Sequence, residues 1–181
     1  MLNPRIPSKD DCEEILVKYK TPKNVIKHCL LVTTIVEEFC DKIKHIDKEL
    51  VIAGAMLHDI GRSVDHSIRH AVEGVKILVR ENLDPKVIAI VKKHIGTGIT
   101  KEESVKLGLP VDDYIPTTIE EILVSYADNL ACGDKRCSFE QSLESFIRKF
   151  SIDSHVVKRF YKQREIIENM IDSNKVEIGS N

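Results

Sequence analysis

The stretch Asp47-Lys-Glu-Leu-Val-Ile-Ala-Gly-Ala-Met-Leu-His-Asp-Ile-Gly61 decides the fold. Asp47 is a good helix N-cap, residues 50–57 are apolar throughout, and Gly61 is placed to end the helix. Such a helix is buried, and it finishes on an adjacent imidazole and carboxylate, His58 and Asp59. Working outward, Ser8 caps a first helix through about Tyr19, with Asp10 and Asp11 in its first turn. Thr21-Pro22 starts a second, on which Val25, Cys29, Val32, Val36 and Phe39 form one buried stripe. Further helices are predicted over about 65–81 and 84–95, with a break at Gly96-Thr97-Gly98. Thr100 with Glu103, Thr117 with Glu120 and Ser138 with Gln141 read as capping pairs for three more. The helix opened by Thr117 is apolar nearly all round to about Ala131, hence central. Asp153 or Ser154 opens a last helix through about Ile171, followed by a frayed tail, 173–181. No segment alternates with period two. The reading is all-α, one domain over 1–181, with about eight or nine helices.

Composition agrees. With 42% apolar and 31% charged residues the chain is an ordinary globular one, and 5% aromatics without Trp leave the core to Ile, Leu and Val. A net charge of -2, from 27 basic and 29 acidic residues, supplies no domain-wide field for long nucleic acid. A small phosphorylated ligand remains compatible, because a metal ion can supply positive charge locally. Five cysteines (Cys12, Cys29, Cys40, Cys132, Cys137) without a CxxC pair are expected to be reduced, with Cys132 and Cys137 as minor metal-ligand candidates. Residues 1–20 are too charged for a signal peptide and no apolar run spans a bilayer, so a cytoplasmic location away from membranes is expected.

Four of the seven histidines, His28, His58, His70 and His94, sit on strongly apolar stretches, as do Asp59 and Asp128. Burying an unpaired carboxylate is costly. Separate helices that each supply a buried His or Asp point to a shared charge, and the commonest is a divalent metal. Gly74, four residues after His70, suggests close approach by another helix or a ligand. His66 is an alternative to His70, whereas His45 and His155 lie in charged surroundings and read as surface residues.

The order His28, then His58-Asp59 within Leu-His-Asp-Ile-Gly, then Asp128 within Tyr-Ala-Asp-Asn-Leu resembles the HD superfamily of metal-dependent phosphohydrolases. The HDIG tetrapeptide with His70 and His94 is similar to the subgroups that hold two metals. The layout resembles bacterial HD-type diadenosine tetraphosphate hydrolases. His-Ile-Gly-Thr-Gly-Ile, Ile-Pro-Thr-Thr-Ile-Glu-Glu and Ala-Asp-Asn-Leu are closer to a small, mainly archaeal HDIG family. The resemblance covers an HD core of about 20–135, with further helices over about 138–172.

It implies an HD-type helical bundle and a hydrolase of phosphate ester or anhydride bonds. The ligands would be His28, His58 and Asp128 for one ion, His70 and His94 for a second, and Asp59 between them. One or two divalent transition metals (Fe, Mn, Ni, Co or Zn) would deliver hydroxide to phosphorus. Asp59 and Arg62 are the catalytic candidates. Arg62 would hold phosphate, with Arg69, Lys92 and Lys93 as lesser candidates and the loop 96–100 near the substrate. The substrate would be a small phosphorylated compound, a nucleotide foremost. A di-iron oxygenase or a non-catalytic nucleotide- or metal-binding module uses the same scaffold. A homodimer through the terminal helices is a further expectation.

Overall fold

The structure, a computed structural model, describes residues 4–150, 152 and 154–178. Among these, the helices are α1 (Lys9–Lys18), α2 (Lys23–Cys40), α3 (Lys48–Leu57), α4 (His70–Arg80) and α5 (Pro85–Lys93). They are followed by α6 (Lys101–Lys106), α7 (Ile119–Asn129), α8 (Phe139–Phe150) and α9 (His155–Ile178). A 3₁₀ helix, Ile60–Ser63, follows α3, and β1 (Ala131–Cys132) pairs antiparallel with β2 (Lys135–Arg136). The fold is all-α apart from that hairpin, which is too short for any period to show in the sequence.

Two helices form the centre. α3 packs against α1, α2, α5 and α7, and α7 against α2, α3, α5 and α9. Val51, Ala53, Ala55 and Leu57 on α3, with Leu123, Val124 and Ala127 on α7, have no exposed surface. Each fully buried Leu or Val stabilises by about 1.5–3 kcal/mol. Most of the scarce aromatics gather in one group, where Tyr126, Phe139, Phe146 and Phe160 tie α8 and α9 to α7. No helix among the described residues is long and apolar enough to cross a membrane.

Most caps are where the side chains suggest. Ser8 with Asp11 and Thr100 with Glu103 form capping boxes, and Asp47 accepts from Leu50 N. Asp84 accepts from Lys86 N, and Ser138 and Gln141 bond reciprocally. Thr21 does not cap α2. Lys20 ends α1 in the left-handed region (φ 54°), and Thr21 N donates back to Leu16 O at 3.0 Å. This reversal turns the Thr21 hydroxyl inward, so Pro22 takes the N-cap position of α2 without a side-chain bond. The α7 box is one residue later than expected, Thr118 with Glu121. α4 begins at His70, because Asp65 accepts from Ser67 N and holds 65–69 in turns. Ser154 opens α9 by accepting from Val157 N, whereas Asp153 lies outside the described residues. α9 continues to Ile178, past the expected end, and 179–181 of the expected tail also lie outside.

Gly61 does not end α3. An added Cβ there would lie 1.8 Å from His70 O and 2.5 Å from Gly74 N, so the glycine is required by the close approach of the 3₁₀ helix to α4. Gly74 in turn lies against Val91 of α5. The expected reduced state of all cysteines is corrected at one pair: Cys132 and Cys137 form a disulfide across the hairpin, while Cys12, Cys29 and Cys40 are free and buried.

Two predictions follow from this packing. Gly61→Ala lowers unfolding free energy by about 3 kcal/mol in denaturant titration, and an unchanged midpoint refutes the close-approach account. Glu121, 5% exposed, accepts from Lys93 Nζ at 2.9 Å and from the backbone of Thr117 and Thr118. Burial raises its pKa, but Lys93 and these donors outweigh that and hold it below the ordinary 4.5. Its contribution is therefore complete above pH 4.5 and lost as pH falls through the lower folded value. Glu121→Gln costs about 2 kcal/mol at neutral pH and flattens the acid limb of the stability profile.

Candidate metal centre

Three helix C-termini meet at one point. His58 caps the end of α3, His94 caps the end of α5, and Asp128 lies in the last turn of α7. Helix C-termini carry partial negative charge, so their convergence favours a cation before any side chain is counted. His28 reaches the point from α2, and Asp59 and His70 from either side of the 3₁₀ helix.

The last-turn carbonyls also orient the rings. Nδ1 of His58 lies 2.7 Å from Ala55 O, that of His94 2.7 Å from Val91 O, and that of His70 2.6 Å from Ser67 O. A carbonyl only accepts, so each Nδ1 carries a proton and each ring turns Nε2 inward, where it can offer a lone pair to a cation. These lone pairs converge. His70 Nε2 and His94 Nε2 are 3.0 Å apart, and His58 Nε2 is fully buried with no hydrogen-bond partner. Two facing lone pairs repel unless a cation or a proton lies between them.

The carboxylates complete the arrangement. Asp128 Oδ1 lies 2.8 Å from His28 Nε2 and 3.5 Å from His58 Nε2. Asp59 divides its oxygens: Oδ1 faces His70 Nε2 at 3.1 Å and His94 Nε2 at 3.5 Å, whereas Oδ2 faces His58 Nε2 at 3.9 Å and His28 Nε2 at 4.0 Å. Donor atoms of His28, His58 and Asp128 lie within 4.8 Å of one another, as do those of His58, Asp59 and His94. This nitrogen-and-oxygen set, with orphaned lone pairs pointing inward, fits a divalent transition metal.

Electrostatics point the same way. Burial opposes ionisation of Asp59, but His58, His70 and His94 hold its pKa well below the usual carboxylate range. Burial likewise opposes charge on Asp128 and is outweighed by His58 and His28. Burial depresses the His94 pKa. Burial also disfavours charge on His58, yet the negative groups around it, Asp59 and Asp128 among them, carry its pKa well above the ordinary value. Protons and metal thus compete for His58 Nε2.

All six expected ligand residues come together. The other candidates divide. Arg62 reaches the cluster, but its Nε donates to Asp59 Oδ2 at 2.6 Å and its Nη1 to His66 O. His66 is exposed and contributes only that carbonyl, because the turns at 65–69 carry it away from His70. Arg69 donates to Gly108 O, Lys92 pairs with Asp112, and Lys93 pairs with Glu121, so structural contacts hold all three. Cys132 and Cys137 bond to each other instead of to a metal.

Sequence reasoning missed a cleft of about 540 Å³ beside the cluster, walled partly by α8 and α9. Asn129 lines it and donates to Gly96 O at 2.6 Å, joined there by Ser125. Arg159 of α9 donates to Gly98 O and to Glu103, fixing the loop that follows His94. The loop 96–100, expected near the substrate, supplies Gly96, Thr97, Gly98 and Ile99 to its lining, and a further signal is the buried polar pair Ser125 and Gln163, bonded at 2.9 Å between α7 and α9.

The sequence pattern of the HD domain matches residues 25–132. A tRNA (cytidine(56)-2'-O)-methyltransferase of Thermoplasma volcanium is 42% identical over 173 residues, 96% of this chain and 50% of that protein. The chain therefore spans about half the length of that relative. An uncharacterised protein of Methanocaldococcus jannaschii is 40% identical over 86% of this chain and 95% of its own length. The HD domain of the Listeria monocytogenes phosphodiesterase PgpH superposes with a TM-score of 0.55 at 19% identity, over 90% of this chain and 98% of that one. It shows the same fold.

Metal binding to this cluster is expected to raise thermal stability. Manganese or zinc at about 100 times its Kd adds about 2.7 kcal/mol, read as an upward shift of Tm that chelator reverses. The shift shrinks as pH falls, since protons reclaim His58, and is lost in Asp128→Ala. A shift that persists in that variant places the ion elsewhere.

Proposed function

The chain belongs to the HD domain family, and on that premise we propose that it is a metal-dependent phosphohydrolase acting on a nucleotide or other small phosphorylated substrate. The observation that carries this reading is Asp59, whose two oxygens face two different pairs of imidazole nitrogens. His28, His58 and Asp128 would hold one divalent ion, His70 and His94 a second, and Asp59 would bridge them. When bound, such ions neutralise phosphate oxygens and lower the pKa of a coordinated water from about 15.7 toward about 7.

The chain's own groups do the rest. The backbone carbonyls of Ala55, Ser67 and Val91 keep the Nε2 lone pairs of the three rings turned inward, so no tautomer change is needed for ligation. Burial of Asp59 and His58 strengthens their electrostatic interactions. Arg62, paired with Asp59 Oδ2, is the cation at hand for the substrate phosphate once the carboxylate is engaged elsewhere. Hydrolysis then joins a water oxygen to phosphorus and breaks the bond to the leaving oxygen, which takes up a proton. His28 and Asp128 are half-buried and face the accessible side of the cluster.

The small-substrate half of the proposal rests on the near-neutral charge of the chain. The test is an assay of the manganese-, nickel- and iron-loaded protein against nucleotides, phosphomonoesters, phosphodiesters and RNA. Release of phosphate or nucleoside supports the reading; oxygen uptake without phosphate release overturns it. Cleavage confined to RNA retains the hydrolase and overturns the small-substrate half. Asp59→Ala reduces turnover by about 10²- to 10³-fold or more while circular dichroism stays helical. Full activity in that variant removes the bridging role.

A further inference from the structure

The cleft beside the cluster has a composition that the phosphate chemistry does not require. Its lining is largely apolar, with Ile95 and Ile99 from the loop, Leu107 just after α6, and Phe146 and Phe150 from α8. Phe146 is anchored on Phe160, with ring centroids 4.9 Å apart, and Phe150 stacks beyond it at 6.0 Å with 30° between the planes. The outer ring, Phe150, is 46% exposed, an aromatic surface left open at the rim. Lys106 of α6 and Lys149 of α8 also line it, and neither forms a salt bridge among the described residues, Lys106 acting only at longer range on Glu102. An apolar floor, a stacked pair of rings and two lysines free of salt bridges suit a flat, aromatic guest with acceptor atoms on its edge.

The position relates this cleft to the cluster. Ile95 follows His94, Asn129 follows Asp128, and Ile68 precedes His70 by two residues, and all three line the cleft. One residue spans about 3.8 Å of chain, so the cleft wall and the ligand atoms share the same segments. At about 540 Å³ it is the size of a small-ligand site.

We propose that this cleft, walled by the loop after His94 and by α6, α8 and α9, binds the aromatic ring system of the phosphorylated substrate. The ring lies against Phe150, and the Lys106 and Lys149 ammonium groups donate to the acceptor atoms on its edge. The inference rests on the hydrolase reading for the position of the phosphate, but it is tested by binding alone.

The probes are the phosphonate analogues of adenosine 5′-monophosphate and ribose 5-phosphate, in which CH₂ replaces the ester oxygen so that neither is cleaved. Calorimetric titration of the manganese-loaded full chain is expected to show the adenosine compound binding about tenfold tighter than the sugar compound. Phe150→Ala, and separately Lys106→Ala with Lys149→Ala, bring that ratio toward unity. All three positions are exposed at the rim, and thermal melts confirm that the variants fold. Equal binding of the two analogues to the wild type, or a ratio that survives both variants, overturns the proposal. Equal binding together with phosphate release from ribose 5-phosphate leaves the hydrolase standing and removes only the ring subsite. Preference for the adenosine compound that the variants abolish, without hydrolysis of any substrate, keeps the subsite and removes the hydrolase.

Discussion

Two carboxylates, one buried and one half-buried, set among imidazoles of which three have committed an N–H to the backbone, constitute the constraint on which the rest of the structure depends. Each Nδ1–H of His58, His70 and His94 is committed to a backbone carbonyl, so these three rings can offer Asp59 and Asp128 a donor only by taking up a second proton. An effective penalty of several kcal/mol attends each buried ion that lacks compensation. Protons on His58 and the Arg62 guanidinium offset part of it, and a divalent cation offsets it more completely.

The helical framework makes this arrangement rigid. α3, α5 and α7 pack against one another and end at the same place, so their last turns supply both the ligands and the carbonyls that orient them. The glycine contact between the 3₁₀ helix and α4 brings Asp59 and His70 within reach of each other. A side chain on Gly61 would force the 3₁₀ helix and α4 apart, since His70 O occupies the space. Packing and chemistry are therefore one requirement at this position.

Much of this was legible before any coordinates. Polar residues on apolar stretches are rare enough that His28, His58, His70, His94, Asp59 and Asp128 identify themselves, and the helical period assigns them to separate elements. Local chemistry was less secure by one residue or a few. Thr117 and Thr118 are both capping hydroxyls followed by glutamates, and only packing chooses Glu121, because Lys93 waits for it. Gly61 looked like a helix terminator, since a glycine needed for proximity and one needed for a left-handed turn read alike in a sequence. The cleft shows in the sequence only through the loop 96–100, for a different reason. Its walls come from residues as far apart as Ile68 and Arg159, and side chains such as Phe150 and Lys149 look like ordinary surface until α8 folds back.

The division of labour between helix ends and loop walls has an evolutionary corollary. Half of the residues that face the centre of the cluster, His58, His94 and Asp128, sit at the ends of tightly packed helices, where nearly any substitution disturbs the core. The surface of the cleft comes from the α5–α6 connection, the short α6 and the exposed side of α8, which carry little of the core. Selectivity can therefore drift by point changes and loop insertions while the reactive centre stays constant. Such a scaffold diversifies its substrates more readily than its chemistry.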